Sequence, residues 1–163
     1  MAVYEDQSFT KVADKANSIN VPDHIYVGVV GRNIGSRVVV AEDCWITPTN
    51  DANNPIRYDV LTGACADPND AANIDLLENG ASSQARFSFA SFEFVNYENG
   101  QLFGHCNVVV CDPSIESCEP RCTGRKRRNA TSQTTAQFTF AIEVNSSTSK
   151  NLKDCSSLPC TTL

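Results

Sequence analysis

Short apolar or alternating runs, separated by turn-forming residues, follow one another along the chain. Val38 to Val40, Val108 to Val110 and Ile56 to Val60 are β-branched or alternating, and polar, Pro- or Gly-containing segments such as Pro48 to Asp51 bound them. No window of eleven residues keeps a helical period. The only helical element expected is a short turn near Asn73 to Leu77. The pattern therefore predicts an all-β protein, an antiparallel sandwich of short strands.

The segment 86–94 holds four phenylalanines whose positions do not fit one regular strand. Phe87 and Phe89 share one parity, whereas Phe92 and Phe94 share the other. Because side chains of a strand alternate between its faces, a regular strand cannot bury all four on one side. We expect a bulge near Ala90-Ser91. The alternative is a strand that is covered on both faces.

A second apolar segment lies near the C-terminal end. Its four large apolar residues occupy one face of a strand: Phe138, Phe140, Ile142 and Val144. The polar stretch Asn129 to Thr135 and a block of four basic residues, Arg125 to Arg128, separate this segment from most of the chain. The position predicts a core-facing strand that is removable, since a cut in the basic block would leave it attached only by disulfides or noncovalent pairing.

Length and composition are those of one globular domain. The chain has 163 residues, of which 41% are hydrophobic and 20% charged, so neither disorder nor a collagen-like structure fits. The longest apolar run, Ile25 to Val30, is far shorter than the roughly 18 residues needed to span a bilayer. No signal-peptide pattern opens the chain at Met1, so the sequence of an exported protein would be a fragment here.

Charge argues against a nucleic-acid partner. The formal net charge is −6, and residues 1–124 alone carry 7 basic and 17 acidic side chains, a net charge of −10. Such a surface repels a phosphate backbone. The remaining basicity is concentrated in Arg125, Lys126, Arg127 and Arg128, which fit the Arg-x-Lys/Arg-Arg pattern that secretory proprotein convertases cut.

The eight cysteines give the strongest compositional signal. They are Cys44, Cys65, Cys106, Cys111, Cys118, Cys122, Cys155 and Cys160. The close pairs enclose three or four residues and never the two that are commonest in zinc sites, so disulfides and an oxidising compartment are favoured over structural zinc. Glycosylation sequons at Asn129 and Asn145 agree with a secretory location, whereas a nuclear-localisation role for the basic block does not.

Catalysis is the least favoured function. His24 and His105 are the only histidines, and neither lies in a nucleophile elbow, a zinc-ligand pair or a phosphate-binding loop. His105 and Cys106 are successive strand residues whose side chains point to opposite faces. The acidic doublets beginning at Glu5 and Glu42 are typical of solvated surfaces. We expect no catalytic residue, no metal and no cofactor.

Three further residues invite structural interpretations. Trp45, next to Cys44, is either a partner-binding anchor or a residue packed near a disulfide, and packing is favoured because it is common in sandwiches. Gly28 and Gly80 are expected to serve the backbone at a bulge or a turn.

Several segments, in order and spacing, resemble the C-terminal half of a zona pellucida (ZP) module. These segments are Met1 to Phe9, Ile25 to Val29, Asp43 to Pro48, Pro55 to Tyr58, Glu78 to Ser88, His105-Cys106 and Cys111-Asp112. The resemblance covers about residues 1 to 128. It implies an immunoglobulin-like β-sandwich, the ZP-C subdomain, preceded by a ZP-N subdomain that is absent here, with Met1 inside the linker between them.

The resemblance also implies a division of the chain. Residues 1–20 would be the end of the linker and the first strand, with an internal hydrophobic patch at Met1 to Tyr4. Residues 21–124 would be the sandwich, and 125–128 the convertase site. Residues 129–163 would form a propeptide whose segment Phe138 to Val144 is the external hydrophobic patch that blocks premature assembly.

Disulfide connectivity is implied by the same resemblance. It pairs Cys44 with Cys106, Cys65 with Cys122, and Cys111 with Cys118, which leaves Cys155 for Cys160. The last two have no counterpart that we can match in the family, so a crosslink that retains the propeptide after cleavage stays open.

ZP modules belong to extracellular proteins that often polymerise and that are typically made as membrane-anchored precursors. The expected function is therefore a structural module that polymerises after convertase cleavage, with other ZP subunits as partners, secreted into an extracellular matrix. The alternative is a non-polymerising receptor or co-receptor module, whose acidic body would bind a basic extracellular protein.

Overall fold

A computed structural model describes residues 1–13, 19–97, 100–122 and 134–145. The described residues form ten strands and one 3-10 turn, Ala71–Asn73. The strands are β1 Ala2–Tyr4, β2 Ile19–Asn20, β3 His24–Val30, β4 Val38–Thr47, β5 Tyr58–Thr62, β6 Cys65–Ala66, β7 Ile74–Glu78, β8 Gln84–Ala90, β9 Gln101–Cys111 and β10 Thr134–Asn145. This part of the chain contains no helix that is long and apolar enough to cross a membrane.

The strands form two sheets. The four-stranded sheet has the order β1-β3-β8-β7, and the six-stranded sheet has the order β2-β10-β9-β4-β5-β6. Neighbouring strands are antiparallel except β10 and β2, which are parallel. The predicted all-β, disulfide-containing sandwich is confirmed.

The hydrophobic core lies between the sheets because each long strand turns alternate apolar residues inward. Phe87 and Phe89 of β8 and Ile25 of β3 are at most 1% exposed, and they meet Ile46 and Leu102 from the opposite sheet in one cluster. Each such side chain stabilises the fold by roughly 1.5 to 3 kcal/mol. A smaller apolar cluster lies apart from this core: Val38, Val40, Ala64, Val109, Cys111 and Cys118.

Three disulfides crosslink the described part of the chain. They join Cys44 to Cys106, Cys65 to Cys122 and Cys111 to Cys118, which are the pairs that the resemblance implies. These six cysteines are therefore not zinc ligands. The first two bridges close loops of 62 and 57 residues, and each stabilises by roughly 4 kcal/mol in the chain-entropy treatment. Cys155 and Cys160 lie outside the described residues.

The predicted helical turn at Asn73 to Leu77 is wrong. The 3-10 turn ends at Asn73, and Ile74 begins strand β7, which pairs with β8 from Ile74 opposite Phe89. Burial of Ile74 against the core outweighs the ambiguous local pattern.

The predicted bulge near Ala90-Ser91 is also wrong, as is a strand covered on both faces. Strand β8 ends at Ala90, and the Ser91 amide donates a 2.8 Å hydrogen bond to the Asp23 carbonyl in the neighbouring loop. Phe92 and Phe94 lie beyond the strand, half-buried, with their rings 5.1 Å apart. A strand end, and not a bulge, changes the parity.

The two glycines play different roles. Gly80 has φ +80°, and a Cβ there would collide with the Cys118 carbonyl, so it serves the backbone at a turn as predicted. Gly28 lies in the middle of β3, where a Cβ would be 2.6 Å from the Tyr4 ring. It makes room for an aromatic side chain, and the expectation of a bulge or turn there is wrong.

Candidate functional site

The candidate site is strand β10 together with the edge of β9 that it covers. The two strands are antiparallel and pair over ten residues, from Thr134 opposite Val110 to Glu143 opposite Gln101. On its other side β10 pairs only at Val144 and Asn145, with the two residues of β2. Strand β10 thus closes the long edge of β9 while being itself almost an edge strand.

The inward face of β10 completes the core. Ile142 and Val144 are 6% and 5% exposed, and Phe138 and Phe140 are half-buried against the core cluster. The intervening residues are exposed: Gln137, Thr139, Ala141 and Glu143. The structure therefore has the one-faced apolar pattern that the sequence predicts for this segment.

A glycine makes room for one of the two aromatic rings of β10. Phe140 lies opposite Gly104 in the register, and a Cβ at position 104 would overlap three carbons of the Phe140 ring. No other residue type leaves this space, because every other side chain begins with that carbon. Gly104 is therefore a specific receptor position for Phe140.

A second glycine closes the C-terminal end of β10. The Val144 amide donates a 2.7 Å hydrogen bond to the Gly100 carbonyl. Gly100 has φ +61°, a conformation that strains other residues, and a Cβ there would be 2.6 Å from the Val144 carbonyl oxygen. The turn before β9 is thus shaped to receive the end of β10.

The N-terminal segment lies beside β10. Strand β1 pairs with β3 at the edge of the four-stranded sheet, and Met1 and Val3 pack against the core. From there β1 contacts β10 of the six-stranded sheet. The two segments that the resemblance marks as hydrophobic patches are therefore spatial neighbours.

The outer face of the six-stranded sheet carries a buried polar group, His105. Its side chain is 0% exposed; Nε2 lies 2.7 Å from Thr47 Oγ1 on β4, and Nδ1 lies 3.1 Å from Thr139 Oγ1 on β10. Burial lowers the pKa of His105, whereas the nearby Asp51 carboxylate acts in the opposite direction. Cys106 points to the other face, into its disulfide, so the two residues form no dyad.

Trp45 packs on this outer face, opposite the core disulfide. Its ring stacks on His105 at 5.6 Å, its Nε1 donates a 3.0 Å hydrogen bond to the Ala52 carbonyl, and the Arg57 guanidinium lies 5.5 Å from the ring centroid. The ring is 7% exposed. Packing, and not an exposed anchor, is thus its role, but beneath the loop 48–57 and outside the main core.

The remaining predicted site residues lie beyond what the structure describes. Arg125 to Arg128, the sequon asparagine Asn129, Cys155 and Cys160 all fall outside the described residues, and of Asn145 only the backbone, at the end of β10, is described. Among the described residues, no group of three or more His, Cys, Asp or Glu side chains is placed to hold a metal ion.

Sequence reasoning considered His105 only as a catalytic candidate and missed its burial beneath β10, as well as the roles of Gly100 and Gly104. The period-two pattern of β9 places His105 on the outward face, where a polar residue is ordinary. Only the cross-strand register shows that Thr139 covers it and that Phe140 needs Gly104. Neither pairing leaves a signal within one short segment.

Comparison with known proteins agrees with this architecture. The ZP-C domain model of the zona pellucida family matches residues 1–123. Mouse pancreatic secretory granule membrane major glycoprotein GP2 is 35% identical over 134 residues, 80% of this chain and 25% of the relative.

Mouse uromodulin is 31% identical over 79% of this chain and 20% of the relative, and chicken (Gallus gallus) alpha-tectorin is 31% identical over 78% and 6%. The chain spans a quarter or less of the length of these curated relatives. With the family model matched from residue 1 to residue 123, the chain belongs to the zona pellucida family and carries its ZP-C domain.

Proposed function

We propose that the chain is the assembly subdomain of an extracellular structural protein. The protein polymerises into filaments or matrix after a proprotein convertase cuts behind Arg128 and β10 leaves. The observation that carries this proposal is the asymmetry of β10, which pairs with β9 over ten residues and with β2 over two. A strand that covers the long edge of β9 and is hydrogen-bonded mainly on that one side can leave at little cost to the other strands. We call β10 in this role the plug.

Departure of β10 would create two complementary binding features. The eleven-residue strand β9 would present unpaired backbone groups along one edge. Beside them would lie an apolar groove lined by Leu102, Gly104, Cys106 and Val108. A strand from another subunit's linker could fill both by β-addition, so that backbone hydrogen bonds supply affinity and the groove supplies register.

The location proposed is extracellular, by secretion from a membrane-anchored precursor. Three disulfides are typical of an oxidising compartment. The name of the GP2 relative describes a glycoprotein of a secretory granule membrane, and the sequons at Asn129 and Asn145 are consistent with glycosylation. Other ZP subunits are the proposed partners, with the convertase as processing enzyme.

A non-enzymatic role is supported by what the reactive residues do. Both ring nitrogens of His105 face threonine hydroxyls, and Cys106 is in a disulfide. His24 is exposed on the other sheet, where Nδ1 lies 3.4 Å from Ser88 Oγ at the limit of hydrogen bonding. None of these groups is arranged as an activated nucleophile.

Cleavage is tested with the full-length protein in convertase-proficient and convertase-deficient cells. Electron microscopy should show filaments only from cells that cut the chain. Arg128→Ala should stay uncut and unassembled, whereas Arg121→Ala, an exposed arginine outside the basic block, should behave like the parent. Equal assembly of cut and uncut protein would refute the proposal.

The plug is tested separately with charges on its two faces. Phe140→Asp with Ile142→Asp should destabilise or prematurely oligomerise the uncut precursor, because two carboxylates would enter the core. Gln137→Asp with Ala141→Asp places the same charges on the exposed face of the same strand and should leave the precursor monomeric. Size-exclusion chromatography of secreted protein distinguishes the outcomes; a monomeric, well-secreted inward double mutant contradicts the plug.

A receptor or co-receptor module is the second candidate, favoured by the net charge of −10 over residues 1–124. Such an acidic body would accelerate encounter with a basic extracellular protein. This candidate predicts a cut protein that stays monomeric and binds a basic ligand with salt-sensitive association rates, so the same microscopy separates the two.

A further inference from the structure

His105 is a buried titratable side chain that the proposed assembly does not yet use. It lies between strands β4 and β10, on the face of the sheet opposite the core, and its two ring nitrogens meet one hydroxyl from each strand. Thr47 belongs to the permanent sandwich, whereas Thr139 belongs to the strand that leaves. The histidine is therefore covered partly by the removable element.

The hydrogen bonds fix which nitrogen carries the proton. Thr47 Oγ1 has two carbonyl acceptors within reach, Thr49 at 2.6 Å and Phe103 at 3.3 Å, so we assign its single proton to a carbonyl oxygen and not to the histidine. The same oxygen must then accept from Nε2–H of His105. Nδ1 is left without a proton and accepts from the Thr139 hydroxyl. The nitrogen that would take up a proton is thus the one that β10 covers.

We propose that His105 makes retention of β10 dependent on pH, with proton uptake at Nδ1 favouring the state in which β10 has left. This inference rests on the proposed function, in which β10 is the removable plug. The proton comes from solvent and joins the Nδ1 lone pair, which in the closed state accepts from Thr139. Release of Thr139 opens that lone pair to water.

Few charged groups surround the ring. Asp51 approaches from the loop after β4, and Arg57, which is paired with Asp59 at 3.0 Å, lies 5.5 Å from the centroid of the Trp45 ring. On β4, the Asp43 carboxylate accepts a 2.9 Å hydrogen bond from the Gly63 amide. On β10 itself the nearest ionisable residue of the outward face is Glu143, four residues from Thr139 and about 13 Å away along the strand.

The direction of the effect follows from burial. With β10 in place, burial outweighs Asp51 and holds the pKa of His105 below its usual range. After release the ring faces water, and its pKa returns toward the ordinary value of about 6.5. The open state then binds the proton more readily, so opening becomes more favourable as the pH falls through that value, by at most about tenfold between pH 7.5 and 5.5.

The test uses the uncut chain and measures hydrogen exchange of its backbone amides at pH 7.5 and at pH 5.5. Protection factors, which remove the intrinsic pH dependence of exchange, should fall up to about tenfold at pH 5.5 for β10 and stay constant for β8. His105→Gln should abolish this pH dependence. His24→Gln, which removes the other histidine of the chain, should preserve it. An unchanged pH dependence in His105→Gln overturns the inference.

Titration of the His105 ring by NMR in the wild-type chain covers the case in which His105→Gln does not fold. The ring should stay neutral while β10 is protected, and an ordinary titration midpoint with full protection of β10 overturns the inference. Both measurements use the uncut monomer. If the pH inference fails, cleavage-dependent filaments can still form. If no filaments form, the exchange measurement on the monomer is still valid, so the failure of the pH inference and the failure of the proposed function can be told apart.

Discussion

Strands β8 and β10 are both phenylalanine-rich, yet the sandwich holds them differently. Strand β8 has a neighbour on each side: it pairs with β3 at seven residues and with β7 at four. Its Phe87 and Phe89 are 1% and 0% exposed. Strand β10 pairs with β9 over ten residues and with β2 over only two, and its Phe138 and Phe140 are half-buried. The same residue type is thus fully buried in the core in one strand and half-buried against the core in the other.

The difference teaches that burial and pairing, not composition, decide which strand is permanent. A fully buried phenylalanine in a doubly paired strand cannot leave without unfolding the domain. We expect that a half-buried one, in a strand that is paired mainly on one side, can leave locally. Four changes test this contrast, beginning with the largest expected effect.

Phe89→Ala should reduce the free energy of unfolding by about 3–5 kcal/mol, because it opens a cavity at the centre of the core. Urea denaturation of the uncut protein measures the loss. Phe92→Ala, at a half-buried ring beyond the end of β8, is the matched control and should cost clearly less. Equal losses would show that β8 is not the permanent strand.

Gly104→Ala should push the Phe140 ring out of its seat, at a cost of about 1–3 kcal/mol. The loss should be local, so that hydrogen exchange accelerates in β10 while β8 keeps its protection. Gly28→Ala is the parallel change, because its Cβ would displace Tyr4 and loosen β1 instead of β10. If Gly104→Ala loosens both sheets equally, β10 is not an independent unit.

Phe140→Ala should cost roughly 0.8–1.5 kcal/mol, half the value for full burial, since the ring is half-buried. Opening of β10, measured by exchange of its own amides, should account for the entire loss. Denaturation midpoints of the remaining sandwich should match those of the parent, and a global loss as large as that of Phe89→Ala would contradict the contrast.

Acid should destabilise the sandwich outside β10 through Asp67, at a lower pH than the range in which β10 is expected to loosen. Burial alone would raise the pKa of Asp67, but hydrogen bonds from the Thr62 hydroxyl and from the Asn69 backbone and side chain together lower it. Stability from this carboxylate is therefore present above its unfolded pKa of about 3.9 and is lost as the pH falls through the lower folded value.

Asp67→Asn should make the unfolding free energy less sensitive to pH below about 4, a smaller effect than the three substitutions above. Chemical denaturation between pH 5 and pH 2 measures it. The loosening of β10 expected between pH 7.5 and 5.5 should remain in this variant. Loss of both pH effects together would mean that the two regions do not titrate independently.

The sequence predicted most of the sandwich and the apolar face of strand β10. Alternation in Phe138 to Val144 is strict over seven residues, and a period of two has no other structural explanation at that length. Burial of Ile142 and Val144 follows directly from it. The family resemblance, and not the residue pattern, supplied the disulfide pairs.

Local patterns failed where contacts between distant segments decide the structure. Ile74 to Glu78 is too short for its period to separate helix from strand, and its pairing with β8 settles the matter. A change of parity at Ser91 has the same sequence signature whether the strand bulges or ends. Gly28 is explained only by Tyr4, which lies 24 residues away in the sequence.

The Cys65–Cys122 bridge gives the chain a tether. It fixes Cys122 beside β6, whereas β10 is four interstrand spacings away across the same sheet, roughly 19 Å. A short connection over such a span holds a strand at a millimolar effective concentration. The proposed cut after Arg128 would replace this effective concentration by the bulk concentration of the freed segment. At ~1 μM protein, occupancy of the groove would become about a thousandfold less favourable, although no contact would have changed.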